Sequence, residues 1–119
     1  MPVMEDVINI EWSDRKLQRA ADKDRDGRRM LGTDRWSAFK RRLRTLEVAD
    51  CLEDIRQAPG KFHPLSADKA GAWAASLSAN WRLVFEPADD PLPALPDGGL
   101  DTSSVRTVRI VRVEDYHGR

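Results

Sequence analysis

The chain has 119 residues with 20 basic and 20 acidic side chains, so its formal net charge is zero. That length fits one domain, residues 1–119, with a core that needs no covalent staple. A neutral total argues against a free-standing nucleic-acid binder, whose affinity comes mainly from phosphate contacts. The single cysteine, Cys51, excludes an intrachain disulfide, fits a reducing cytoplasm, and reads as a small buried hydrophobe. Glu5, Asp6 and Glu11 near the start argue against a secretory signal, and no run is long and apolar enough to span a bilayer. The expectation is a soluble, cytoplasmic protein.

Charge is unevenly spread. From Trp12 to Arg44 twelve Lys and Arg face five Asp, whereas Glu86 to Asp101 holds five acids and no base. Segregation of this kind gives a basic face for an anionic partner while the total stays neutral.

In chain order, the first regular strand is expected from about Val7 to Trp12, with Ile8, Ile10 and Trp12 alternating against Asn9 and Glu11. Ser13 then offers a helix cap ahead of Asp14, and a helix is predicted over 14–26 with Leu17, Ala20 and Ala21 as its apolar stripe. Gly27 and Gly32 punctuate its end. Thr33 or Asp34 caps a second helix, on which Trp36, Phe39, Leu43 and Leu46 share one face. Lys40, Arg41, Arg42 and Arg44 fall mostly off that stripe, so the two helices should present a basic outer surface.

Residues 52–65 read as irregular, with a turn at Pro59-Gly60. Two strands follow: Trp73, Ala75 and Leu77 alternate with small or polar residues, then Trp81, Leu83 and Phe85 alternate with Arg82 and Val84. Ser78-Ala79-Asn80 supplies the turn of this hairpin. If Trp81 faces the core, Arg82 faces away from it, where a planar fork suits phosphate. Residues 87–104 form an acidic loop stiffened by Pro91, Pro93 and Pro96. The last strand, Val105–Val113, is apolar on both faces and should therefore lie inside the sheet, covered on both sides. The order strand, helix, helix, three strands predicts an α+β fold, a small antiparallel-rich sheet with two helices packed on one face.

Two histidines, His63 and His117, flank this strand block, and strand pairing would bring both toward Arg82. Cleavage of RNA by its own 2′-hydroxyl needs a base, a cation at phosphorus and an acid for the leaving oxygen. His, Arg, Tyr and Lys supply these without a cofactor. Cys51, His63 and His117 lack the paired spacing of a zinc site, and no phosphate-binding glycine loop or nucleophile elbow occurs. The reading depends on both imidazoles sharing a surface with Arg82, and on that guanidinium not being consumed by an internal ion pair.

Phe-His-Pro-Leu at 62–65, Asn-Trp-Arg-Leu-Val-Phe at 80–85 and Val-Glu-Asp-Tyr-His at 113–117 resemble the HigB-like toxins, the plasmid maintenance killer proteins of the RelE/ParE superfamily. The resemblance implies a compact microbial-RNase-like (RelE-like) fold and a toxin of a type II toxin–antitoxin system that cuts mRNA in the ribosomal A site. Its implied partners are the ribosome and mRNA and a helix-turn-helix, HigA-like antitoxin, with operator DNA bound only through the antitoxin. Carried over by position, it assigns His63 and His117 to proton transfer or 2′-hydroxyl positioning. Arg82 goes to phosphate stabilisation, Tyr116 to substrate orientation and Asp115 to holding its neighbours. Ser66 stands where family members commonly carry Lys, which leaves Lys61 or Lys69 to supply that charge. Lys61, Lys69, Arg41 and Arg44 are the expected RNA contacts. The same scaffold also suits a ParE-like gyrase inhibitor or a detoxified binding module.

Overall fold

In the computed structural model, residues 7–65 and 71–116 are described. Five strands form one mixed sheet: β1 (Asn9–Trp12), β2 (His63–Pro64), β3 (Trp73–Ser76), β4 (Trp81–Pro87) and β5 (Thr107–Asp115). Their order is β1-β5-β4-β3-β2, with β1 parallel to β5 and every other pairing antiparallel. The helices are α1 (Arg15–Ala20), α2 (Asp24–Leu31) and α3 (Thr33–Val48), and short 3-10 turns cover Leu52–Gln57 and Thr102–Ser104.

The expected α+β arrangement is present, with differences in detail. The helix predicted over 14–26 is two helices. Asp14 caps the first by accepting from the Leu17 amide at 3.0 Å, and the chain turns at Ala21-Asp22 before α2 begins. Gly27, expected as a terminator, lies inside α2. It is there for space, since a Cβ would meet the Trp36 ring at 2.1 Å. Gly32, at φ +90°, makes the break between α2 and α3 that the sequence placed nearby. The 52–65 stretch read as irregular contains the 3-10 turn and the two-residue strand β2, which adds a fifth strand to the expected four.

One face of the sheet carries the core. Trp73, Ala75, Leu83, Phe85, Val108 and Ile110 pack with Leu17, Leu31, Trp36, Phe39 and Leu46 of the helices. Trp36 stacks on Phe39 with centroids 5.2 Å apart, and its indole N–H donates to Asp24 at 3.1 Å. Asp24 also accepts from Lys40, and these two bonds, the indole's first, hold its carboxyl below the usual range. The predicted aromatic stripe of α3 is thus the core, as its spacing implied.

β5 corrects one expectation. It is an internal strand between β1 and β4, but its two apolar faces do not signal cover on both sides. Val84 registers with Arg112 while Phe85 registers with Ile110, so Val111 is skipped. This β-bulge reverses the alternation. Val108 and Ile110 face the helices before it, and Val113, opposite Leu83, faces them after it. Arg109, Arg112 and Glu114 consequently share the other face with Arg82, Val84 and Glu86.

Among the described residues no helix is long and apolar enough to cross a membrane.

Candidate functional site

The helix-free face of the sheet is ordered in cross-strand rows. His63, Ala74, Val84 and Arg112 form one row, from β2 to β5. Ser76, Arg82 and Glu114 form the next, and Glu86, Arg109 and Glu11 form a row on the far side. Side chains registered in this way point to the same side of the sheet, with strands about 4.8 Å apart. His63 and Arg82 therefore occupy neighbouring rows of one surface, with β3 between their strands.

His63 is exposed, and its Nδ1 lies 2.7 Å from the Lys61 carbonyl. A carbonyl only accepts, so Nδ1 is the donor in this contact and Nε2 is the ring nitrogen outside it. The preceding turn is set by Gly60 at φ +121° and Lys61 at φ 57°. A Cβ at Gly60 would meet the Arg42 side chain at 2.5 Å. Arg42 leaves the helix surface here and donates through Nε to the Ser76 carbonyl at 2.8 Å. The basic outer surface expected of residues 40–44 thus loses Arg42, whose guanidinium is held below its ordinary pKa by burial first and by Arg41 second. Lys61 itself is exposed beside His63.

Arg82 faces away from the core as predicted, yet it is not free. Its Nε donates to Glu114 Oε2 at 2.6 Å, its Nη2 lies 2.5 Å from the same oxygen in the ion pair, and its guanidinium sits 4.6 Å from the Tyr116 ring centroid. The Arg82 side chain is 24% exposed and that of Glu114 23% exposed, so the pair is partly buried, within reach of solvent at the helix-free face. Arg112 Nε donates to the other oxygen, Oε1, at 2.7 Å. Burial by itself pushes the Glu114 carboxyl up, but the hydrogen bonds from Arg112 and Arg82, with their charges, outweigh it and hold it below the ordinary value.

Tyr116 is anchored where β5 ends. Its amide donates to the Asn80 carbonyl at 2.9 Å, and its hydroxyl reaches the Ala79 carbonyl at 3.4 Å. Asp115 registers with Trp81, one step out of line with Arg82. His117, Lys69 and Ser66 lie outside the described residues. Arg41 and Arg44 are exposed on α3, and so lie on the helix layer, across the sheet from Arg82. The face thus gathers His63, Arg82 and Tyr116 but not the two helix arginines.

The sequence reading missed Glu114 and Arg112. Alternation counted back from Glu114 would have put Ile110 on the same face, which makes little sense for a charged surface. That contradiction was the available sign of the bulge. A surface cleft of about 310 Å³ is lined by Lys16, Arg19, Asp26, Arg29 and Met30, with none of the described predicted site residues among them.

A stretch of 45 residues, 38% of this chain, is 33% identical to the Endoribonuclease HigB of Proteus vulgaris and covers 49% of that protein. A stretch of the same length is 38% identical to the Toxin YoeB of Streptomyces coelicolor, covering 54% of it. The chain therefore spans about half the length of the curated relatives it matches. No protein-family model matches it, and no solved structure matches it. With the motifs at 62–65, 80–85 and 113–117, these matches bear out the resemblance read from the sequence: the chain is similar to toxins of the HigB and YoeB kind.

Proposed function

We propose that the protein is the toxin of a type II toxin–antitoxin pair, acting in the cytoplasm as a ribosome-dependent mRNA endoribonuclease. The observation that carries this reading is the sharing of one helix-free sheet face by His63, Arg82 and Tyr116. In the proposed reaction the 2′-oxygen attacks the adjacent phosphorus and the 5′-oxygen departs. His63 and His117 divide the two proton transfers between them. Arg82 stabilises the charge that builds on the phosphate, Tyr116 orients the substrate and Asp115 holds its neighbours. Lys61 and Lys69 contact the RNA backbone near the site. Arg41 and Arg44 act from the helix layer, on RNA that wraps beyond the sheet. The ribosome presents the message, so a neutral protein need not bind free RNA tightly. A helix-turn-helix antitoxin of the HigA kind neutralises the toxin and carries any contact with operator DNA.

One observation favours a second reading. Glu114 accepts from Arg82 Nε and ion-pairs with its guanidinium, as it would if the guanidinium served only to tie β4 to β5. In that case the chain is a ParE-like gyrase inhibitor or a detoxified binding module. Expression without a partner separates the readings. The nuclease predicts growth arrest, mRNA cut within codons on ribosomes, and relief by Arg82→Ala or His117→Ala. Arrest with intact mRNA and stalled supercoiling would establish gyrase inhibition. Absence of arrest would point to the detoxified module, and arrest indifferent to both substitutions would reject the assigned site.

A further inference from the structure

The charged rows of the open face are unlike one another. In the far row one cation meets two acids: Arg109 donates to Glu86 at 2.8 Å and to Glu11 at 3.2 Å. Around Glu114 the ratio is inverted, since Arg82 and Arg112 both spend hydrogen bonds on a single carboxylate. Among the described residues, two cations thus share this one carboxylate, at the end of the face beside His63 and Tyr116. Arg112 stands in the His63 row, and its side chain is 48% exposed. A carboxylate clasped by two guanidinium groups has the charge and the acceptor geometry of a phosphodiester in the same cradle.

We infer that Glu114 occupies the seat of a substrate phosphate, and that Arg112 is a second phosphate-binding residue beside Arg82. A phosphodiester of single-stranded RNA takes over these contacts as the carboxylate swings out. The substrate class rests on the endoribonuclease reading. Exchanging one anion for another keeps both guanidinium groups partnered, so neither is left uncompensated at this partly buried position. The Val111 bulge is what places Arg112 and Glu114 on this face. No covalent step is involved.

The test is binding of the full-length chain to a short single strand of RNA whose 2′-hydroxyls are replaced by hydrogen, so that it cannot be cut. Arg112→Gln should weaken binding roughly tenfold, the loss of one charge-assisted contact. It should also reduce the slope of log K against log salt by about 0.7. Glu114→Gln, which removes the competing anion, should bind severalfold tighter than the wild type. In the unsubstituted protein, the NMR signals of Arg82 Nε and Arg112 Nε should both shift on adding the strand, while that of Arg56, paired with Glu53 elsewhere, stays put. This arm does not depend on any variant folding. An unmoved Arg112 signal, an Arg112→Gln chain that binds like wild type, or a wild-type chain that binds no strand would overturn the inference. A chain that grips the strand through both arginines yet leaves ribosomal mRNA intact would reject only the nuclease reading. A chain that cuts mRNA with Arg112 irrelevant would reject only this one.

Discussion

The contact from His63 Nδ1 to the Lys61 carbonyl decides which ring nitrogen is available, and Arg82 shows the opposite situation, a functional group already engaged. Arg82→Lys keeps the charge but not the planar fork, so it should bind substrate yet lose much of its cleavage rate. Arg82→Ala should fall further, by about 10²–10³-fold, as when a donor to developing charge is removed. Single-turnover cleavage on ribosomes measures both. For Glu114 the sign follows from its lowered pKa. The folded chain holds this carboxylate charged to lower pH than the unfolded chain does. The stabilisation is therefore present above the unfolded carboxylate range and is lost as pH falls through the folded value. Denaturant unfolding of wild type and Glu114→Gln should differ by about 1–3 kcal/mol at neutral pH, as expected for a partly buried carboxylate bonded to two guanidinium groups. That difference should vanish in strong acid, and one that grew on acidification would contradict the assigned pairing.

Among the elements, α2 and β5 carry the features that matter most for the site and its support. Gly27 is mid-helix, where alanine ordinarily gains about 1 kcal/mol. Here the Trp36 ring fills the space, and overpacking a rigid core residue costs about 1–3 kcal/mol or more. Packing wins, so Gly27→Ala should lower the unfolding midpoint. A rise would mean that Trp36 is free to move aside. The same residues show what could be read from the chain alone. The alternation of Trp81, Leu83 and Phe85 announced β4 and the outward Arg82, and the three-and-four spacing of Trp36, Phe39, Leu43 and Leu46 announced α3. Gly27 misled because composition does not distinguish a glycine that ends a helix from one that makes room for an indole. β5 misled because the sign of its bulge is indirect: unbroken alternation would align Ile110 with Glu114, but only pairing with β4 shows that Val111 is the residue skipped. Arg82, His63 and Tyr116 stand out in the chain itself and the resemblance adds their roles, whereas Glu114 and Arg112 needed the register.

For the molecule as a whole, the sheet separates Lys61 from Arg41 and Arg44, which the expected RNA contacts had grouped together. The helix layer carries Arg41 and Arg44, and the open face carries Arg82, Arg112 and His63. Replacing Arg41 and Arg44 together by Ser should therefore leave the cleavage step intact and change only the salt dependence of ribosome association. Equal loss of the chemical step would place those arginines at the site. The most direct measurement is mapping of mRNA ends on programmed ribosomes after adding the purified full-length chain, with Arg82→Ala as its partner sample. A catalytic open face predicts new ends within codons for the wild type, greatly diminished for Arg82→Ala. Equal cutting by both proteins, or intact message with both, would contradict it.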